Sequence, residues 1–132
     1  MSIGLLLVTH NNMGTELLAT ATTMLGNCPL QTNTLTVPFD CDLEQAHTSA
    51  RHHIQQLDQG DGVLVLTDIF GSTPSNIVCA MQGGERVIIV TGLNLPMLIR
   101  VLNYPKLDLP TLAEKAESGG HTGIIACQPD CN

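Results

Sequence analysis

Two residues in this chain are placed for chemistry, each closing an aliphatic run: His10 after Leu5-Leu6-Leu7-Val8-Thr9, and Asp68 after Val63-Leu64-Val65-Leu66-Thr67. A carboxylate that accepts a hydrogen bond from one imidazole nitrogen fixes the tautomer and leaves a lone pair on the other. That second nitrogen is then a nucleophile. Downstream of Asp68, Gly71-Ser72-Thr73-Pro74-Ser75 leads into a predicted helix. Unpaired N–H groups and the positive dipole end at such a start favour an anion. Gly71, Ser72, Thr73 and Ser75 are therefore the candidate phosphate-binding residues. Taken singly, His10 reads as a strand-end residue and Asp68 as a turn cap. Together, with an anion cradle beside them, they point to phosphoryl transfer through a phosphohistidine, His10 as nucleophile and Asp68 as the group that orients it.

Rival chemistries leave no trace. The Gly-x-x-x-x-Gly-Lys-Ser/Thr of a nucleotide-binding loop is missing,. A flavin site needs aromatic platforms, and the chain has no Trp and a single Tyr, Tyr104,. A phosphoaspartate receiver needs acidic residues after the first strand, where Thr9-His10 stands instead. His47, His52 and His53 lack the i, i+4 spacing that aims two imidazoles at one metal. The five cysteines (Cys28, Cys41, Cys79, Cys127, Cys131) are odd in number and contain no Cys-x-x-Cys pair. This favours neither a disulfide framework nor structural zinc and fits a reducing cytoplasm. No metal or organic cofactor is expected. Asp58, Asp61, Glu114 and Glu117 read as a solvated face rather than a carboxylate pair.

The elements that must hold His10 and Asp68 alternate along the chain. Ile3 to Val8 is continuous and aliphatic, as in a strand buried on both faces. Met13, Leu17, Leu18, Ala21, Met24 and Leu25 form a helical stripe stopped by Gly26 and Pro29. Thr32 to Val37 is β-branched and alternating. Asp40 or Asp42 caps a helix carrying Leu43, Ala46, Ala50, Ile54 and Leu57, ended by Gly60-Asp61-Gly62. Val63 to Thr67 is a third strand. Thr73 is a cap residue and Pro74 the first helical position of a helix through Met81 that Gly83-Gly84 breaks, and Arg86 to Thr91 is a fourth strand. Pro96 opens a helix towards Asn103, Pro110 to Ser118 is a last helix closed by Gly119-Gly120, and Thr122 to Cys127 is a short final strand. Such alternation predicts an α/β fold: a small doubly wound, mainly parallel four-stranded sheet with helices on both faces. Ligands of such sheets bind beyond the carboxyl ends of the strands, where the strand order reverses. His10 and Asp68 meet there if the first and third strands are neighbours.

The 132 residues suit a single domain, 1–132, large enough for a core without staples,. Hydrophobic residues make up 43% but aromatics only 2%, so the core is aliphatic. With 5 Lys+Arg against 12 Asp+Glu the net charge is −7, which offers nothing to a nucleic-acid backbone,. The apolar runs fall well short of the roughly 20 residues of a membrane helix, and the N-terminal segment does not read as a signal peptide.

Three segments carry a family likeness: Ile3-Gly4-Leu5-Leu6-Leu7-Val8-Thr9-His10, Thr67-Asp68-Ile69-Phe70-Gly71-Ser72-Thr73-Pro74-Ser75-Asn76, and Thr91-Gly92-Leu93-Asn94-Leu95-Pro96-Met97-Leu98. In order and spacing the chain resembles the enzyme IIA domain of the mannose family of the phosphoenolpyruvate-dependent sugar phosphotransferase system. The resemblance implies that His10 accepts a phosphoryl group on Nε2 from the phosphocarrier HPr and passes it to a IIB component, with Asp68 as the orienting acid. It also implies a cytoplasmic homodimer whose last strand, here Thr122 to Cys127, crosses to the partner and pairs antiparallel. It leaves room for association with a membrane permease complex. Asn11 and Ser72 stand where such proteins usually carry Gly; Asn is the non-glycine residue that best tolerates left-handed backbone. Met13, Phe70, Leu95 and Met97 could ring His10 as an apolar docking surface, although Met13 and Met97 equally suit a core. Two other roles share the same chemistry: a regulatory module read out by its phosphorylation state, and a phosphocarrier feeding a dihydroxyacetone kinase.

Overall fold

The computed structural model describes residues 2–81 and 86–129. Four strands, β1 (Gly4–His10), β2 (Thr32–Val37), β3 (Val63–Thr67) and β4 (Val87–Thr91), alternate with helices α1 (Met13–Leu25), α2 (Leu43–Leu57), α3 (Thr73–Cys79), α4 (Leu95–Leu102) and α5 (Leu109–Thr122). The strands form one sheet in the order β2-β1-β3-β4, every pairing parallel. The expected α/β sheet is therefore what the chain builds. Side chains alternate along the central strands. Leu5, Leu7, Leu64 and Leu66 enter a core under α1, α4 and α5, while Leu6, Val8, Val63 and Val65 enter another under α2 and α3. Burial on both faces explains why β1 and β3 read as unbroken aliphatic runs. No helix among the described residues is long and apolar enough to cross a membrane.

Helix ends follow local chemistry where the chain is exposed. Gly26 closes α1 in the left-handed conformation, its N–H donating to the Thr22 carbonyl,. Asp42, rather than Asp40, caps α2 by accepting from Glu44 N–H at 3.0 Å. The cap of α3 is Ser72, one residue before the expected Thr73, and the helix ends at Cys79 rather than Met81. Gly83-Gly84 lies outside the described residues.

The C-terminal region departs most from expectation. Gly119-Gly120 does not close the last helix: α5 runs through both to Thr122, and both are buried. The reason is close packing, because a Cβ on Gly119 would stand 2.5 Å from Arg100 Cβ and one on Gly120 2.9 Å from Met97 Cε. Small residues here let α5 lie against α4. Residues 124–128 belong to no helix or strand, so the strand expected at Thr122 to Cys127 is not formed within the chain. Ile124 and Ile125 are exposed there, at 77% and 71%.

Candidate functional site

The strand order determines where a site can form. From β1 the chain crosses to β2 on one side, and β3 lies on the other side with β4 beyond it. The reversal point is thus between β1 and β3, where crossovers diverge and leave a crevice at the carboxyl ends. His10 ends β1, opposite Val37 of β2. Asp68 follows Thr67, the last residue of β3.

His10 and Asp68 meet in this crevice. Asp68 Oδ2 lies 2.8 Å from the His10 backbone N and 2.7 Å from His10 Nδ1. Oδ1 accepts from Ile69 N–H at 2.9 Å. The Asp68 side chain is 6% exposed and that of His10 27%. Burial works against the Asp68 charge most strongly. Hydrogen bonds from the His10 N–H, the His10 ring and the Ile69 N–H, with the attraction of the imidazole, outweigh it and hold the carboxyl below its ordinary range,. An ionised carboxylate only accepts, so the proton between the side chains sits on Nδ1. In the neutral imidazole the lone pair is then on Nε2, at the free end of a partly exposed ring.

The turn behind His10 is built to hold it. Asn11 has φ 49°, the single positive φ outside glycine among the described residues, so Asn meets the left-handed requirement that Gly would otherwise serve,. Thr9 is buried, and its Oγ1 accepts from Gly14 N–H at 2.9 Å, tying the start of α1 to the strand end. On the other side, the ring of Phe39 faces His10 with centroids 5.8 Å apart and planes at 43°. Phe39 follows the end of β2, and its type and position in the sequence carry no sign of this pairing. Its signal is topological: it appears only once β2 is known to flank β1.

The expected phosphate-binding residues divide. Gly71 takes φ +82° and is exposed, as is Thr73. Ser72 donates its hydroxyl to the Ile69 carbonyl at 2.6 Å, which folds the loop after Asp68 back on itself. Ser75 is fully buried, its Oγ 3.8 Å from Cys79 Sγ, so this hydroxyl lies inside the packing of α3 and not in an open cradle. Helical periodicity puts Ser75 on the same inward face as Val78,. Of the residues expected to ring the histidine, Met13 and Phe70 are exposed, Leu95 is half-buried, and Met97 is a core residue at 3%. Ile69 joins the exposed set at 59%. Among the described residues no group of three or more His, Cys, Asp or Glu is placed to hold a metal.

The chain is similar to known proteins over most of its length. Residues 4–117 match the family model described as PTS system fructose IIA component, of the mannose-type IIA group. The fold matches the mannose/sorbose specific IIA subunit of the phosphotransferase system from Enterococcus faecalis, with TM-score 0.86 and 24% identity over 97% of this chain and 96% of that one. It matches the phosphotransferase system component EIIA from Streptococcus agalactiae with TM-score 0.81 and 21% identity, covering 94% of this chain and 96% of that one. The PTS IIA protein associated with the fucose utilization operon from Streptococcus pneumoniae is similar at TM-score 0.73 and 25% identity, over 89% and 93% of the two chains.

Proposed function

From the premise that this chain belongs to the phosphotransferase-system IIA family, we propose that His10 is its phosphoryl acceptor and donor, taking the group from phospho-HPr and passing it to a IIB component. The observation that carries this reading is the single Asp68 oxygen that receives both His10 N–H groups at 2.8 and 2.7 Å. One hydrogen bond fixes the base of the histidine and the other its tautomer. The lone pair of Nε2 attacks phosphorus, and an N–P bond forms as the donor's N–P bond breaks. That bonding pair returns to the donor imidazole. The acceptor ring gains positive charge in this step, and the ionised Asp68 stabilises it through Nδ1–H. Transfer to IIB repeats the step with His10 as leaving group. Gly71 and Thr73, on the exposed loop before α3, are the members of the expected cradle left to contact phosphoryl oxygens.

The site's surroundings support a protein as co-substrate. Ile69 and Phe70, on the loop after β3, and Met13, the first residue of α1, are exposed apolar residues at the carboxyl edge of the sheet, a composition suited to a transient partner rather than to bulk water. Sugar transport, a cytoplasmic location and homodimerisation belong to the same reading. For the dimer, the open edge of β4 borders a groove of about 610 Å³ lined by Ile88, Val90, Glu117, His121 and Ile124. The half-buried β4 at the sheet edge and the exposed Ile124 and Ile125 are complementary between two copies,.

The deciding experiment incubates the protein with phosphoenolpyruvate, enzyme I and HPr. An acid-labile adduct on His10 is expected, absent from His10→Ala. Full phosphorylation of His10→Ala would overturn the reading. Onward transfer to candidate IIB proteins then separates a transport role from a regulatory one.

A further inference from the structure

We propose that Phe39 is a positioning residue for His10, holding the imidazole from the β2 side in the orientation that Asp68 selects from the β3 side. The proposal rests on His10 as phosphoryl acceptor and adds a residue that neither the motif nor the reaction requires. Phe39 is 90% exposed, so burial in the core does not account for its place. Its aromatic neighbour is His10, at a centroid distance of 5.8 Å and a 43° tilt, inside the range of about 4.5–7 Å in which tilted aromatic pairs attract. The backbone delivers it there. His10 lies opposite Val37 in the β1–β2 ladder, and Cys41 N–H donates to the Pro38 carbonyl at 3.2 Å, closing the turn that carries Phe39 over the strand ends.

A ring held only through Nδ1 can still swing about that hydrogen bond. Asp68 supplies one fixed point, and on the β1 side opposite β3 the nearest aromatic surface is Phe39. A tilted aromatic neighbour limits the swing without using either nitrogen, so Nε2 stays free for phosphorus,. A misplacement of about 1 Å can cost on the order of 100-fold in such a transfer. Because β1 lies between β2 and β3, the two restraints act from opposite sides.

The test uses Phe39→Ala, Phe39→Leu and Phe39→Tyr in the full chain. In unphosphorylated protein, NMR couplings and NOEs of the His10 side chain report its χ1 and χ2 populations. One conformer is expected for the native protein and Phe39→Tyr, and averaging for Phe39→Ala and Phe39→Leu. In single-turnover transfer from phospho-HPr, the Ala and Leu variants are expected to lose roughly 2- to 10-fold in maximal rate, with a smaller change in half-saturating phospho-HPr and recovery in Phe39→Tyr. Melting temperatures should be unchanged, given the exposure of the ring. A Leu variant equal to native in both readouts, an Ala variant with a single native His10 conformer, or unfolding of the variants would each overturn the proposal. If the native protein accepts no phosphoryl group, the phosphocarrier reading fails instead, and the NMR comparison alone decides the role of Phe39.

Discussion

Replacing Asp68 by Asn removes the charge of one side chain and keeps its shape, which makes the site's electrostatics measurable. In the native arrangement Oδ2 accepts from His10 N–H and Nδ1–H, and Oδ1 accepts from Ile69 N–H. An amide has one acceptor end. If its oxygen faces His10, its NH2 group meets the Ile69 N–H, donor against donor, and the imidazole faces a neutral dipole as it becomes positively charged. If the amide turns over, its NH2 faces His10 and Nδ1 becomes an acceptor. The tautomer then inverts, and Nε2 carries a proton instead of a lone pair. Either orientation forfeits a charge-assisted hydrogen bond, about 1.5–3 kcal/mol. In a rate that corresponds to roughly 10- to 150-fold. The loss should appear in the single-turnover rate from phospho-HPr, measured by rapid quench, with folding intact. Imidazole ¹⁵N shifts identify the tautomer independently. Asp68→Asn transferring within about 2-fold of native, a difference far below one charge-assisted bond, would refute the role assigned to the carboxylate.

The low carboxyl pKa of Asp68 sets a pH dependence. Its stabilisation is complete above the ordinary value near 3.8 and is lost as pH falls through the lower folded value,. Urea unfolding in that acid window should therefore show a steeper stability loss for native protein than for Asp68→Asn; equal slopes would count against it. Gly119→Ala places a methyl group against Arg100 Cβ at 2.5 Å. Overpacking of about 1–3 kcal/mol exceeds the roughly 1 kcal/mol that Ala gains over Gly in a helix, so melting should show destabilisation, and a rise in Tm would contradict the packing described. Transfer from purified phospho-HPr should persist in excess chelator, since a phosphohistidine donor brings no triphosphate charge for a metal to neutralise; complete loss on chelation would break this expectation. Removing residues 124–132 should shift a dimer towards monomer in sedimentation while leaving His10 phosphorylation intact, and an unchanged association state would exclude that segment from the interface.

How much of this could be read from the sequence differs by residue. The aliphatic runs Leu5 to Val8 and Val63 to Leu66 declare strands buried on both faces, because only such strands can be apolar at every position. The α2 cap was legible as Asp40 or Asp42, and a left-handed turn at Asn11 from the resemblance to a family that carries Gly there, since both features act through backbone groups within a few residues. His10 and Asp68 were visible as a reactive pair because each closes one of those runs.

Tertiary structure decided what depends on neighbours distant in the chain. The order β2-β1-β3-β4 puts Asp68 against His10 across 58 positions, and brings Phe39 to the imidazole from the other side. Ser75 looked like a cradle hydroxyl but turned inward with the buried face of α3, and Met97 went to the core while Met13 stayed exposed. Gly119-Gly120, locally a helix terminator, became helix interior because α4 leaves no room for larger side chains at those positions. Backbone propensity at a glycine amounts to about 1 kcal/mol, and the packing of two helices outweighs it. Local chemistry could therefore be read in order along the chain, while every feature that required two elements to meet waited for the sheet to set their order.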